Sequence, residues 1–139
     1  MKTNLRLIVI TVAMLLFCSC SNSYIEPFKL TTEYMDNPTV VDELNPRLSW
    51  INNPKNIKIR GAEQSAYRIC VASSLKNLSK GEYDVWDSDK VFSSKNSLIP
   101  YSGKQLESAK DYWWKVMVWD NNDNPSKWSE PAKWTIDRK

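Results

Sequence analysis

Asp111-Tyr112-Trp113-Trp114-Lys115-Val116-Met117-Val118-Trp119-Asp120 decides the fold. It holds neither glycine nor proline and is filled with the aromatic and β-branched residues that suit a pleated strand. With a period of two, Tyr112, Trp114, Val116 and Val118 share one face, and Trp113, Lys115, Met117 and Trp119 share the other. The first face is wholly apolar and has to be buried against a second layer. The same period puts Tyr67, Ile69 and Val71 on the inner face of a strand at 65–73, and Leu48 and Trp50 on that of a strand at 47–51. Further strands are expected near 28–34, 84–92, 97–100 and 131–137, set apart by clusters of Asn, Pro, Asp, Ser and Gly. Seven short strands of this kind predict an all-β antiparallel sandwich. No stretch keeps a 3.6-residue apolar period over three turns, and only Leu75 to Leu78 reads as a single helical turn.

The rest of the composition narrows the chemistry. A chain of 139 residues amounts to one domain, and 42% hydrophobic with 25% charged residues is a globular balance. There is no histidine. That excludes Ser-His-Asp and Cys-His nucleophilic catalysis and every histidine-ligated zinc or iron site, and no metal or cofactor is expected. Seven tryptophans and six tyrosines beside three glycines favour β-structure again.

The first segment reads as an address. Lys2 and Arg6 precede an apolar run from Leu7 to Cys18 broken only by Thr11, which is a secretory pattern too short to span a bilayer. Phe17-Cys18-Ser19-Cys20 resembles a bacterial lipobox, which implies cleavage before Cys20 and lipidation of its thiol; cleavage at Cys18, or secretion without lipid, are the other readings. The expected organisation is a leader over 1–19, a polar tether over 20–27 and the sandwich over 28–139, placing the protein in the cell envelope with the lipid as its sole membrane anchor. Losing Lys2 and Arg6 takes 19 basic residues to 17 against 16 acidic ones, interspersed, so nucleic acid is not an expected partner. Cys70 is then left without an intramolecular partner, and its place in Tyr67-Arg68-Ile69-Cys70-Val71 reads as a packed thiol.

Leu106 stands six residues before Tyr112, a spacing that resembles a tyrosine corner, in which the phenol bonds back to backbone upstream. Together with Leu48-Ser49-Trp50 and Trp128-Ser129-Glu130-Pro131 it makes a fibronectin type III or immunoglobulin-like pattern. A wider series carries a further resemblance. Asn45-Pro46-Arg47-Leu48-Ser49-Trp50, Gln64-Ser65-Ala66-Tyr67-Arg68-Ile69 and Val85-Trp86-Asp87-Ser88 come first. Tyr112-Trp113-Trp114-Lys115-Val116, Val118-Trp119-Asp120 and Ser126-Lys127-Trp128-Ser129-Glu130-Pro131-Ala132 follow. The series resembles the N-terminal β-sandwich module of bacterial α-L-rhamnosidases, glycoside hydrolase family 78. The resemblance implies a plant glycoside or polysaccharide setting and a long modular protein whose catalysis lies in a later (α/α) barrel. No residue here matches that barrel, so no catalytic residue carries over, and the chain reads as a fragment or truncated copy. The turn Asn121-Asn122-Asp123-Asn124 lacks the expected glycine, which leaves asparagines to take any positive φ.

A glycosidase needs two carboxyl groups across a cleft. The acids of Asp84 to Asp89, and Asp120 and Asp123, fall instead at strand edges and turns and read as solvated or capping groups. Trp50, Tyr67, Leu106, Tyr112 and Trp114 read as structural. Trp113, Met117 and Trp119 have outward parity, and with Trp128 they form the candidate functional face. Its expected occupant is the neighbouring catalytic domain; the alternatives are sugar rings stacked by a free-standing, lipid-anchored carbohydrate-binding module for rhamnose-containing glycans, or cover from flanking strands or the 52–64 loop. Replacing Trp113 and Trp119 by Ser is accordingly expected to leave stability nearly unchanged.

Overall fold

A computed structural model describes residues 22–138. Alternation of large apolar and polar residues builds seven strands: β1 (Ile25–Thr32), β2 (Arg47–Pro54), β3 (Gln64–Ala72), β4 (Trp86–Asp87), β5 (Ile99–Pro100), β6 (Lys110–Asp120) and β7 (Ala132–Ile136). One helix, α1 (Leu75–Lys80), interrupts them. The strands form a three-stranded sheet, β1-β2-β5, and a four-stranded sheet, β4-β3-β6-β7, antiparallel throughout. The expected immunoglobulin-like sandwich is therefore what forms.

The core lies between the sheets, and the faces fall as the two-residue period requires. Tyr112, Trp114, Val116 and Val118 of β6 are buried, as are Tyr67, Ile69 and Val71 of β3 and Leu48 and Trp50 of β2. Aromatic rings fill the space: Trp50 meets Tyr67 edge-on at 5.4 Å between ring centroids, and Trp134 is stacked 5.7 Å from Tyr112 and edge-on 5.9 Å from Tyr101. The tyrosine corner is present. Leu106 is buried, and the Glu107 N–H donates to the Tyr112 hydroxyl at 2.8 Å.

Several boundaries differ from expectation, some of them for clear local reasons. The end of the expected 20–27 tether belongs to the fold, because β1 starts at Ile25 and Ser23 is already buried, with its hydroxyl bonded to both the N–H and the carbonyl of Ile25. Pro27 is accommodated because β1 is an edge strand with β2 as its single neighbour in the sheet, and there a missing N–H is tolerated. Strand β1 also ends early, since Glu33 and Tyr34 take positive φ values of 48° and 67°. The expected strand at 84–92 shrinks to Trp86–Asp87 because Asp89 turns the chain at φ 54°, and pairing resumes in the single bridge Tyr67–Val91. In the glycine-free turn, Asp123 and not an asparagine takes the left-handed position, at φ 60°. Gly103 is needed for close approach: a Cβ there would stand 2.5 Å from both Trp86 Cβ and the Tyr101 hydroxyl.

Candidate functional site on the outer face of the four-stranded sheet

Register aligns the outward residues of β6 with small or charged partners. Trp113 lies opposite Ala72 and Lys133, Lys115 opposite Cys70, Met117 opposite Arg68 and Trp119 opposite Ala66. All four outward β6 residues are half-buried, as their parity requires. Trp128 reaches the same face from outside any strand. The segment around it runs beside β6 and uses serine in place of a strand ladder: Ser126 Oγ accepts from Val118 N–H and Ser129 Oγ from Val116 N–H, each at 3.0 Å. The two serines return the pairing through their own N–H groups, to the Val118 and Val116 carbonyls. Trp128 is thus pinned between two anchors.

The face divides into two patches. Towards the start of β6, the short outward side chains Cys70 and Ala72 leave room for α1, whose Leu78 fills it; Trp113, Tyr83 and Trp128 pack against this satellite core. Ser74 caps the helix by accepting from Asn77 N–H, and Gly81 ends it in the left-handed conformation. Towards the end of β6, Trp119 stands apart from that core. Lys90 Nζ lies 4.7 Å from its ring centroid and 5.0 Å from that of Phe92, and Lys90 also pairs with Asp123 at 2.6 Å. Met117 separates the two patches.

Cations cover every ring of the face. Lys133 Nζ is 5.5 Å from the Trp113 centroid, and Lys115 Nζ is 4.5 Å from Trp128 and 5.1 Å from Tyr83. The Arg68 guanidinium lies 5.7 Å from Trp128 and 5.8 Å from Tyr83 while its fork grips Asp87 through bonds of 2.6 and 3.0 Å. That grip holds the Asp87 carboxyl below its ordinary value, against the opposing effect of burial. Burial lowers the Lys115 ammonium, which donates to the Leu78 carbonyl at 3.3 Å at the end of α1. Beneath them burial, reinforced by Asp87, pushes the Cys70 thiol up to about 12. Such a thiol is protonated and inert.

A family profile described as "Rha78A-like, N-terminal immunoglobulin domain" matches residues 27–137. The chain belongs to this family. The Rha78A-like domain is 44% identical over 103 residues to an α-L-rhamnosidase of Formosa agariphila, a match that covers 74% of this chain and 10% of that protein. Among solved structures, the α-L-rhamnosidase of Streptomyces avermitilis complexed with L-rhamnose superposes with a TM-score of 0.75 at 39% identity, over 81% of this chain and 10% of that one. The α-L-rhamnosidase from Dictyoglumus thermophilum gives a TM-score of 0.77 at 39% identity, over 85% and 13%. The chain thus spans about a tenth of the length of the curated relatives it matches. What it matches is their N-terminal immunoglobulin-like domain and not a catalytic domain, so the Rha78A-like domain is non-catalytic.

Of the face residues expected from sequence, Trp113 and Trp128 are brought to one satellite core, Trp119 lies apart, and all remain partly accessible. Helix α1, Tyr83 and the cations supply the cover. The sequence reading left Arg68, Tyr83, Asp87 and Lys115 out of the candidate face, although it gave Lys115 outward parity. The available signal was Ala66, Cys70 and Ala72, three small residues at outward positions of β3, followed at once by Leu75-Lys76-Asn77-Leu78. Asp120 is a capping group as expected but is fully buried: its carboxylate accepts from the N–H groups of Tyr24, Asn122 and Asn124. Cys20 lies outside the described residues.

Proposed function

We propose that the chain is a non-catalytic accessory module of an α-L-rhamnosidase-like glycoside hydrolase, and that its half-buried aromatic face, with Trp113, Met117, Trp119 and Trp128, docks on a neighbouring domain. The observation that supports this reading is the match to the N-terminal domain of much longer proteins, of which the match covers about a tenth, named α-L-rhamnosidases. The cations over the rings favour docking over sugar stacking. A sugar on the covered side of a ring would have to displace an ammonium or guanidinium from a π-face, whereas a protein surface can bring carboxylates to meet them. The plant glycan setting and the envelope location with lipid at Cys20 belong to the same proposal and rest on the resemblance and the lipobox-like sequence.

A chimera tests docking. Exchanging the matched domain of the Streptomyces avermitilis enzyme for this chain should keep thermal stability and turnover well above those of a domain-deleted enzyme. Lys133→Glu with Lys90→Glu in the chimera should lower its melting temperature more than in the isolated chain. Equal effects in both contexts would exclude this face as the contact. The chain alone should not hydrolyse aryl α-L-rhamnosides, and turnover abolished by removing a single Asp or Glu would overturn the accessory reading. Cys20→Ala should move the protein from the membrane fraction to the soluble one.

A further inference from the structure

At one pole of the sandwich β1 and β3 begin and β2 and β6 end, joined across the sheets by a bond from Tyr24 N–H to the Asp120 carboxylate. The loop Lys55-Asn56-Ile57-Lys58-Ile59-Arg60 leaves β2 there, and hydrogen bonds fix its shape. Lys55 N–H donates to the Tyr24 carbonyl at 2.9 Å, which ties the outgoing limb to the start of the fold. Asn56 makes the turn: its carbonyl accepts from Ile59 N–H at 3.0 Å, and its Oδ1 from Lys58 N–H at 2.9 Å. Asn121 Nδ2 holds the returning limb by donating to the Gly61 carbonyl at 3.2 Å. Ile57 and Lys58 are thereby the corner residues of the turn. Ile57 is 89% exposed, the highest value of any large apolar residue described.

A lone exposed isoleucine is ordinary. The company of this one is not. Lys58 and Arg60 flank it, both exposed and neither paired with a carboxylate among the described residues. Across a cleft from the loop, where Ser94 and Asn96 face Ile59 and Gly61, the opposing segment adds the exposed Lys95. Two residues before Ser94 stands Phe92, 79% exposed. The carboxylates of this pole are mostly engaged. Asp120 is buried under three N–H donors, Asp123 pairs with Lys90 and Glu26 with Lys55, which leaves Glu63 against Lys58, Arg60 and Lys95.

An apolar tip between unpaired cations suits an anionic phospholipid surface. The ammonium and guanidinium groups meet headgroup phosphates within a Debye length of roughly 8–10 Å, and the isoleucine and phenylalanine enter the acyl boundary. The position of the loop favours a membrane over an acidic protein. Cys20 precedes Tyr24 by four residues, at most about 14 Å of extended chain, and Tyr24 is bonded to the first residue of the loop. A lipid on Cys20 would bring the bilayer to this pole rather than to the one where β2 begins beside β5. We infer that the loop 55–60, with Phe92 and Lys95 beside it, is a membrane-contact surface for anionic phospholipid. The inference rests on the lipid-anchored reading of Cys20 and adds a second contact to it. So weak a contact does not hold a protein on membranes through fractionation by itself, and Cys20→Ala is still expected to release it.

The test is flotation of the lipid-free chain, residues 20–139 with Cys20→Ala, which keeps every described strand. It is mixed with vesicles of phosphatidylglycerol and phosphatidylethanolamine, or with phosphatidylcholine vesicles. At low salt the bound fraction should be at least about fivefold higher on the anionic vesicles, and it should fall at high salt. Lys58→Gln with Arg60→Gln should lower it about tenfold, and Ile57→Ser several-fold, without a change in melting temperature because these side chains are exposed. With Cys70 buried, Ile57→Cys supplies a single reactive thiol for an environment-sensitive fluorophore, which should brighten on anionic vesicles. The same label at Ser102→Cys, just beyond β5 at the far pole, should not. The inference is overturned if anionic vesicles bind no more protein than neutral ones, if both loop variants bind like the parent, or if the Ser102 label brightens and the Ile57 label does not. Binding to polyglutamate without binding to anionic vesicles would overturn it in favour of an acidic protein surface. Because the tested chain carries no lipid, none of these failures bears on lipid at Cys20, which the mass of the protein purified from cells reads separately.

Discussion

At the scale of single residues, Tyr112 and Cys70 show how burial fixes a role. The Tyr112 hydroxyl is the acceptor for the Glu107 N–H, so Tyr112→Phe strands a backbone donor at the entry to β6. The expected loss is about 1 kcal/mol, read as a lower midpoint in urea. A melt superimposable on the parent would remove the tyrosine corner from the stabilising features of the fold. Cys70 is fully buried and its thiol is pushed up to about 12. It should resist iodoacetamide in the native protein at pH 8 and react once denaturant is added. Fast native alkylation would mean that α1 opens readily.

At the scale of elements, the two outward tryptophans of β6 ought to differ, although parity alone treats them alike. Trp113 packs against the satellite core of Cys70, Ala72 and Leu78, whereas Trp119 has Ala66 across the ladder and Lys90 over its ring. Trp113→Ser should cost about 1–2 kcal/mol and Trp119→Ser less than about 1 kcal/mol, as separate denaturant melts would measure. Equal losses would mean that α1 contributes nothing to the face. The strands with clear alternation, β2, β3 and β6, and the corner tyrosine were legible in the sequence, because a two-residue period under one buried face leaves little freedom. Less legible were β4 and β5, whose two-residue lengths depend on the single left-handed residues Asp89 and Leu98. The cation cover of the face was hidden for another reason. Register brings Lys133 beside Trp113, and a helix of six residues brings Tyr83 and Lys115 together, which are cross-strand facts no local pattern contains.

At the scale of the whole molecule, the ionisable groups define a broad pH plateau. On the acid side the relevant groups are carboxylates held below their ordinary values. Asp120 is raised by burial, but the N–H donors of Asn124, Tyr24 and Asn122 outweigh that effect and keep it below 3.8. Asp87 is lowered by Arg68, Glu33 by Arg47, and Asp84 by its bonds to Ser73 against burial. A depressed carboxylate contributes stability above its ordinary pKa and loses it as pH falls through the folded value, so unfolding should set in below about pH 4. On the alkaline side, burial raises Cys70, Tyr67 and Tyr101, which stay neutral in the fold. Their contribution is complete below the ordinary thiol and phenol values and declines as the unfolded chain ionises, above about pH 9. The chain has no histidine, the side chain whose ordinary value falls between these limits. The melting temperature should therefore be nearly flat between about pH 5 and 8 and fall on both sides. Asp120→Asn tests the acid limb, because it replaces a carboxylate that bonds three backbone N–H groups, one of them from Tyr24 beside β1. The variant should be less stable at pH 7 yet lose less on acidification than the parent. An acid limb of unchanged depth would shift that linkage to Asp87 and its grip on Arg68.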